Sequence, residues 1–222
     1  MSLIGNRIDT AFERVSPALV EAARHLPVAV IGDVSQRLYS FHGGYANYSR
    51  AALTFAGPAF TVRVRPGDNL FLHKVLDIAQ PGDIVVCDAG GALDNAILGE
   101  MMGRYAASRG IAGIIINGAI RDRAGLATLG IPVYGRGVTP NGPWKSGPGE
   151  GGYPVAVGGV SIASGDLVVG DEDGVIVLPR AEAASVIEKA QAHHKVEERW
   201  ADEISKGTWP RGWVDQAIAQ LK

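Results

Sequence analysis

One stretch limits the folds open to this chain more than any other: residues 82–122, GDIVVCDAGGALDNAILGEMMGRYAASRGIAGIIINGAIRD. Ile84 to Cys87 is a short apolar, β-branched run entered through the turn Pro81-Gly82-Asp83, and those are strand features. Asn95 to Arg109 follows, with Ile97, Met101, Tyr105 and Ser108 on one helical face and Gly110 directly after it. Ile111 to Ile116 is a second apolar run of strand length. The order predicts one β-α-β unit.

The lengths within that unit decide where chemistry can sit. A helix running from about Gly99 to Arg109 covers roughly 15 Å, and a returning strand of five or six residues covers about 17 Å. The loop with Gly99-Glu100 and the loop with Arg121-Asp122 are therefore predicted to emerge at one edge of the sheet, where the carboxyl ends of parallel strands form a ligand crevice. That edge would gather N–H groups at a helix start, which bind anions, the carboxylates Glu100 and Asp122, and the Arg121 guanidinium. An anion and a divalent cation can be held there side by side.

These residues also carry a resemblance. Glu100-x20-Arg121-Asp122, preceded by Leu98-Gly99 and set in GIAGIIINGAIRD, resembles the divalent-metal pyruvate aldolases that cleave 4-hydroxy-4-methyl-2-oxoglutarate and 4-carboxy-4-hydroxy-2-oxoadipate. That family is related to the regulator of ribonuclease activity A. The likeness continues through KSGPGEGGYPVAVGG and SGDLVVGDEDGVIVLPR, roughly Pro66 to Arg180.

The resemblance implies a class II aldolase with Mg²⁺ or Mn²⁺ on Asp122 and water completing most of the shell. Gly99, Glu100, Met101 and Met102 would bind the 2-oxo acid with Arg121. Arg121 would stabilise the pyruvate enolate, and Glu100 would orient the water acting as base, with oxaloacetate decarboxylation as a side activity. The resemblance further implies a mixed α/β fold: a single α-β-β-α swivelling-type (β/β/α) domain over residues 1–222, with a C-terminal helical tail from about 181. It also implies a homotrimer or a dimer of trimers, in which Glu197 or Glu198 of the C-terminal segment enters an adjacent subunit's site.

One departure is Gly125, where the aldolases commonly place an acid three positions after the Asp of the Arg-Asp pair. The related regulators keep the arginine and lack the following acid, so Asp122 favours an aldolase over a non-catalytic regulator of a ribonuclease E-type enzyme. A third label attached to such sequences, menaquinone methyltransferase, needs a nucleotide-binding glycine pattern that this chain lacks.

Composition narrows the partners. A length of 222 residues, 46% of them hydrophobic, allows a substantial core as one domain. A formal charge of −2 and a pI near 6.2 offer no basic face for nucleic acid. The uncharged apolar stretch at residues 110–120 is about half a membrane span. A soluble cytoplasmic protein acting on a small-molecule 2-oxo acid, with neither nucleic-acid nor membrane partners, is expected.

Cys87, the only cysteine, reads as a buried structural thiol. His25, His42, His73, His193 and His194 lack zinc spacing and read as surface or core histidines. Asp171-Glu172-Asp173-Gly174 reads as an acidic hairpin turn, since it lacks the calcium-loop spacing. Lys145 and Arg136 are secondary candidates for a substrate's distal carboxylate.

Around this unit, Ile8 to Arg24 predicts a helix broken or restarted at Ser16-Pro17. Asp33 is placed to cap a helix through Tyr39, and Tyr39 to Arg50 reads as a loop or subunit contact. Ala59 to Val64 predicts a strand, followed by a helix containing Leu70 to Ile78 with Asp68 as cap. Arg123 to Leu129 predicts a short helix, Ile131 to Tyr134 a strand, and Thr139 to Gly152 an ordered loop without regular structure. Short strands at 155–157, 160–163, 167–169 and 175–178 give late hairpins and hence a mixed sheet. A long helix from about Ala181 to Ser205 precedes a tail, Lys206 to Lys222, whose aromatics are expected to dock on a neighbouring subunit.

Overall fold

Ile84–Asp88 and Gly113–Asn117 lie parallel, in register from Ile84↔Gly113 to Asp88↔Asn117, within a nine-stranded sheet. The computed structural model describes residues 3–49 and 54–221 and is a mixed α/β structure. Phe55–Val64 joins parallel on one side, and Val133–Gly135 on the other. Val85, Cys87, Ile114 and Ile116 enter one core with the helices Leu70–Ile78 and Glu100–Ser108. Ile84, Val86 and Ile115 enter a second with the hairpin Val155–Val157/Val160–Ile162. Both faces are covered, which is why these strands read as unbroken apolar runs. Truncating fully buried Ile115 to Ala would cost about 2–5 kcal/mol.

Phe55–Val64 is long enough to serve two antiparallel partners. Its first half pairs with Leu167–Asp171 and its second with Gly149–Gly151. Leu167–Asp171 turns back as Gly174–Leu178, and the helices Pro17–Arg24, Val28–Val34 and Arg180–Ser205 close a third core over that hairpin. The late hairpins and the mixed sheet match the sequence reading.

At the carboxyl edge of the central strands, three shorter pieces form a separate parallel sheet: Ala96–Leu98, Ala119–Ile120 and Gly137–Val138. This corrects the predicted helix over 95–109, whose first part is strand, with the helix itself beginning at Glu100. Ile97 and Leu98 are buried, and pairing with Ala119–Ile120 satisfies backbone that a helix would otherwise have to satisfy.

Other differences have local causes. The segment before Ser16 is not helical: Asn6–Ile8 pairs with Gly149–Gly151, and the Phe12 ring packs edge-on to Phe60 at 5.0 Å. The restart at Pro17 holds, with the Ser16 hydroxyl accepting from the Leu19 N–H at 3.2 Å. A helix spans Val28–Val34 in place of the one expected over 33–39, because Gln36 and Arg37 adopt left-handed backbone, φ 58° and 61°.

Asn69, not Asp68, is the cap position before Leu70–Ile78. Within 139–152, Gly149–Gly151 is strand rather than loop. Within 39–50, Ala46–Asn47 pairs with Tyr134–Gly135, and Arg50 lies outside the described residues. The short helix is limited to Arg123–Leu126, and the tail adds a helix, Gly212–Ala219. Trp213, Ile218 and Leu221 stay exposed there, and Lys222 lies outside the described residues. Cys87 is fully buried, and burial pushes its thiol far above the ordinary range.

Candidate active site

The Arg121 N–H donates to the Leu98 carbonyl at 2.9 Å, which carries the small-sheet pairing out into the two loops. One step further, the Glu100 N–H donates to Asp122 Oδ2 at 3.2 Å. The two loops thus meet as the length argument expected, with the Asp122 carboxylate resting on the first N–H of the helix Glu100–Ser108, where the helix dipole favours negative charge.

Glycine makes this approach possible. A Cβ on Gly99 would stand 2.5 Å from Asp122 Oδ2 and 3.1 Å from Arg121 Cγ, and one on Gly142 would stand 2.9 Å from Arg121 Nη1. A Cβ on Gly103 would stand 3.0 Å from Leu126 Cδ2, so the helices Glu100–Ser108 and Arg123–Leu126 behind the loops are also tightly packed. Asp122 itself holds left-handed backbone, φ 57° and ψ 42°. Asp tolerates that conformation better than most residues, and such outliers persist where the surroundings fix them.

The loops open on a cavity of about 160 Å³ lined by Gly99, Met101, Met102, Arg121 and Asp122, and across from them by Asn69, His73 and Lys145. Asp122 is the only carboxylate of that lining. Its Oδ2 is shared between the Glu100 N–H and Arg121 Nε, 3.6 Å away, while Oδ1 has no protein partner among the described residues. One half-exposed carboxylate with a free oxygen suits a hard cation that keeps most of its waters. The Met101 and Met102 N–H groups, in the first helical turn, have no intrahelical acceptor.

The far wall is pinned by Asp68, which is fully buried. Its Oδ1 accepts from the Leu70 N–H at 2.9 Å, and its Oδ2 from the N–H groups of Ser146 and Gly147 at 2.7 and 3.0 Å. Burial alone would raise this carboxyl, but those N–H groups and Arg65 outweigh it and hold it below the usual carboxylate range. The loop bearing Lys145 is thereby tied to the start of the helix bearing His73.

Sequence-matching family models decide the relationship. The model of the RraA-like family, described as Aldolase/RraA, matches residues 18–177. The chain belongs to the RraA-like family. A protein of Halalkalibacterium halodurans named "Putative 4-hydroxy-4-methyl-2-oxoglutarate aldolase" is 43% identical over 146 residues, 64% of this chain and 70% of that one. The solved structure of an uncharacterized protein from Pseudomonas syringae has a TM-score of 0.77 at 26% identity, covering 88% of this chain and 96% of that one. The structure of Streptomyces coelicolor RraAS2, an unusual member of the RNase ES inhibitor RraA protein family, has a TM-score of 0.76 at 34% identity, covering 84% and 97%.

Against this RraA-like framework, the remaining sequence candidates separate. The Glu100 side chain does not line the cavity. Its Oε1 accepts from Arg104 at 2.7 Å, and its carboxylate lies where a side chain at Gly125 would be. Lys145 reaches the cavity wall; Arg136 instead stands beside Gly91 and the Tyr45 ring.

His73, read from sequence as an ordinary histidine, lines the cavity. The signal was topological: Leu70–Ile78 is the crossover helix after Phe55–Val64, so its first turns lie at the same carboxyl edge as Gly99 and Arg121. His193 joins Glu197 and Asp33 in a group whose donor atoms lie within 4.8 Å of one another, but Arg37 already holds Asp33 at 2.6 Å. Glu197 stands 3.5 Å from His193, while the more exposed Glu198 is 3.9 Å from His194. No helix among the described residues is long and apolar enough to cross a membrane.

Proposed function

We propose that this chain catalyses the retro-aldol cleavage of a 4-hydroxy-2-oxo dicarboxylic or tricarboxylic acid, such as 4-hydroxy-4-methyl-2-oxoglutarate, releasing pyruvate. The observation that carries this reading is the 3.2 Å contact between the Glu100 N–H and Asp122 Oδ2, which brings a carboxylate, a helix start and Arg121 to one cavity. Asp122 would hold Mg²⁺ or Mn²⁺, which when bound supplies Lewis-acid stabilisation of charge at the substrate's keto oxygen. Arg121 stabilises the enolate charge, as a preorganised cation does where charge develops. The Met101 and Met102 N–H groups orient the substrate carboxylate, Gly99 lets Asp122 and Arg121 come close to them, and Lys145 faces the distal carboxylate. The same enolate forms when oxaloacetate loses CO₂, so decarboxylation accompanies cleavage.

In this reading the chain acts as one swivelling-type β/β/α unit in the cytoplasm, in a homotrimer or dimer of trimers. The tail helix Gly212–Ala219, with Trp213 and Ile218 exposed, docks on a neighbouring subunit. One of Glu197 and Glu198 enters the cavity of an adjacent subunit, and Glu198 is the less engaged of those two.

The second reading is a non-catalytic regulator of a ribonuclease E-type enzyme, suggested by the name of the Streptomyces coelicolor relative. Pyruvate release from a small panel of 4-hydroxy-2-oxo acids with Mg²⁺ or Mn²⁺, assayed beside ribonuclease pull-down, separates the two. Release without pull-down supports the aldolase, and pull-down without release supports the regulator.

A further inference from the structure

The helix start that faces the cavity carries two methionines in succession, and they differ in access. Met101 is 68% exposed and lines the cavity beside Gly99 and Arg121. Met102 is 9% exposed, and its sulfur accepts from Asn69 Nδ2 at 3.2 Å. Cys87 is fully buried in the strand Ile84–Asp88 with its thiol pushed up by burial, so it offers an oxidant no thiolate. A thioether needs no deprotonation before it is oxidised to the sulfoxide. Access therefore decides which of these sulfurs reacts.

Position gives that reaction a consequence. Long side chains in a helix lean back towards its N-terminus, which lays the Met101 thioether over the start of Glu100–Ser108, beside the N–H groups that have no intrahelical acceptor. A sulfoxide oxygen there is the negative end of a strong dipole, and a helix start favours negative charge. It competes with the substrate carboxylate for the same donors.

Resting on the aldolase reading, we propose that Met101 is a modification site for hydrogen peroxide and that its sulfoxide reversibly weakens binding of the 2-oxo acid. The sulfur lone pair attacks one peroxide oxygen and the O–O bond breaks. The departing hydroxide takes the proton left on the transferred oxygen, so the products are sulfoxide and water. Sulfur loses two electrons and the peroxide gains them. A methionine sulfoxide reductase reverses the step by oxidising a dithiol to a disulfide, with the oxygen leaving as water.

The test treats the full chain with hydrogen peroxide, removes the peroxide by desalting, and follows two readouts. One is the fragment masses across residues 75–104, which resolve Met101 from Met102; the other is steady-state cleavage of 4-hydroxy-4-methyl-2-oxoglutarate with Mg²⁺. Met101 should gain one oxygen at least about tenfold faster than Met102. KM should rise about tenfold with kcat within about twofold, as when an interaction with the bound carboxylate is lost, and the reductase should restore KM. Met101→Leu, compared with its own untreated rate, should be insensitive to the same treatment. Equal or faster oxidation of Met102, oxidation of Met101 with KM unchanged, or the same loss in Met101→Leu would overturn the proposal while leaving the aldolase reading standing. Wild-type protein inactive before treatment would overturn the aldolase reading, and the masses would still decide whether Met101 is the modified residue.

Discussion

Two of the Arg–Asp pairs among the described residues lie at opposite ends of the central strands, and they differ in how fully their partners match them. Asp83, just before Ile84–Asp88, is 0% exposed; its two oxygens accept from Arg14 Nε and Nη2 at 2.7 and 2.8 Å, and one also accepts from the Gln80 N–H at 2.8 Å. Asp122, just after Ala119–Ile120, is 45% exposed, stands 3.6 Å from Arg121 and keeps one oxygen without a protein partner among the described residues. The first pair is a closed, bidentate lock between the N-terminal segment and the sheet. The second leaves charge unspent at the edge where parallel strands bind ligands. The same residue types therefore read as scaffold or as chemistry according to how fully their donors and acceptors are matched.

If that contrast is right, the two aspartates fail in different assays. Asp83→Ala, which leaves Arg14 without its buried partner, should lower unfolding free energy by about 3–5 kcal/mol in urea titration. Asp122→Asn should reduce pyruvate release by at least about 10³-fold, or roughly 4 kcal/mol of transition-state stabilisation. Its stability should stay within about 0.5 kcal/mol of wild type. Comparable stability losses in the two variants would erase the distinction.

Gly99→Ala sharpens it by moving the open pair without changing its charges. A Cβ that displaces Asp122 by about 1 Å should reduce cleavage about 10²-fold. The expected partial loss of activity, with the far-UV spectrum retained, separates placement from charge.

The smallest effect concerns Asp68, whose folded carboxyl is held below its ordinary value of 3.8. A folded value below the unfolded one adds stability above the unfolded value, and that stability is lost as pH falls through the folded value. Wild-type stability should therefore fall more steeply than that of Asp68→Asn as pH drops below about 4. Parallel curves would remove Asp68 from the acid response.

What the sequence made legible followed from pattern and length. The apolar runs at 84–87 and 111–116, the helix between them and the late hairpins required only local periodicity. The meeting of Gly99-Glu100 with Arg121-Asp122 followed from matching the rise of a helix to that of a strand.

Less legible was anything set by long-range partners. Ile97 looks helical by spacing, yet pairing with Ala119–Ile120 makes its segment a strand. Asp68 looks like an ordinary helix cap, but accepting from Ser146 and Gly147 turns it into the tie beneath Lys145. Glu100 reads as a site acid, but its partner one helical turn on, Arg104, and the empty volume at Gly125 draw its side chain aside. His73 has no motif around it. Only knowing which sheet edge its helix starts from brings it to the cavity.

Pyruvate release by metal-stripped protein, titrated with Mg²⁺ and Mn²⁺ in wild type and in Asp122→Asn, probes the open pair at its source. The expected result is no release from stripped wild type, saturable recovery as the ion is added, and no recovery at the same concentrations in Asp122→Asn. Equal release with and without the ion, or recovery of Asp122→Asn to the wild-type rate, would contradict the role given to that carboxylate.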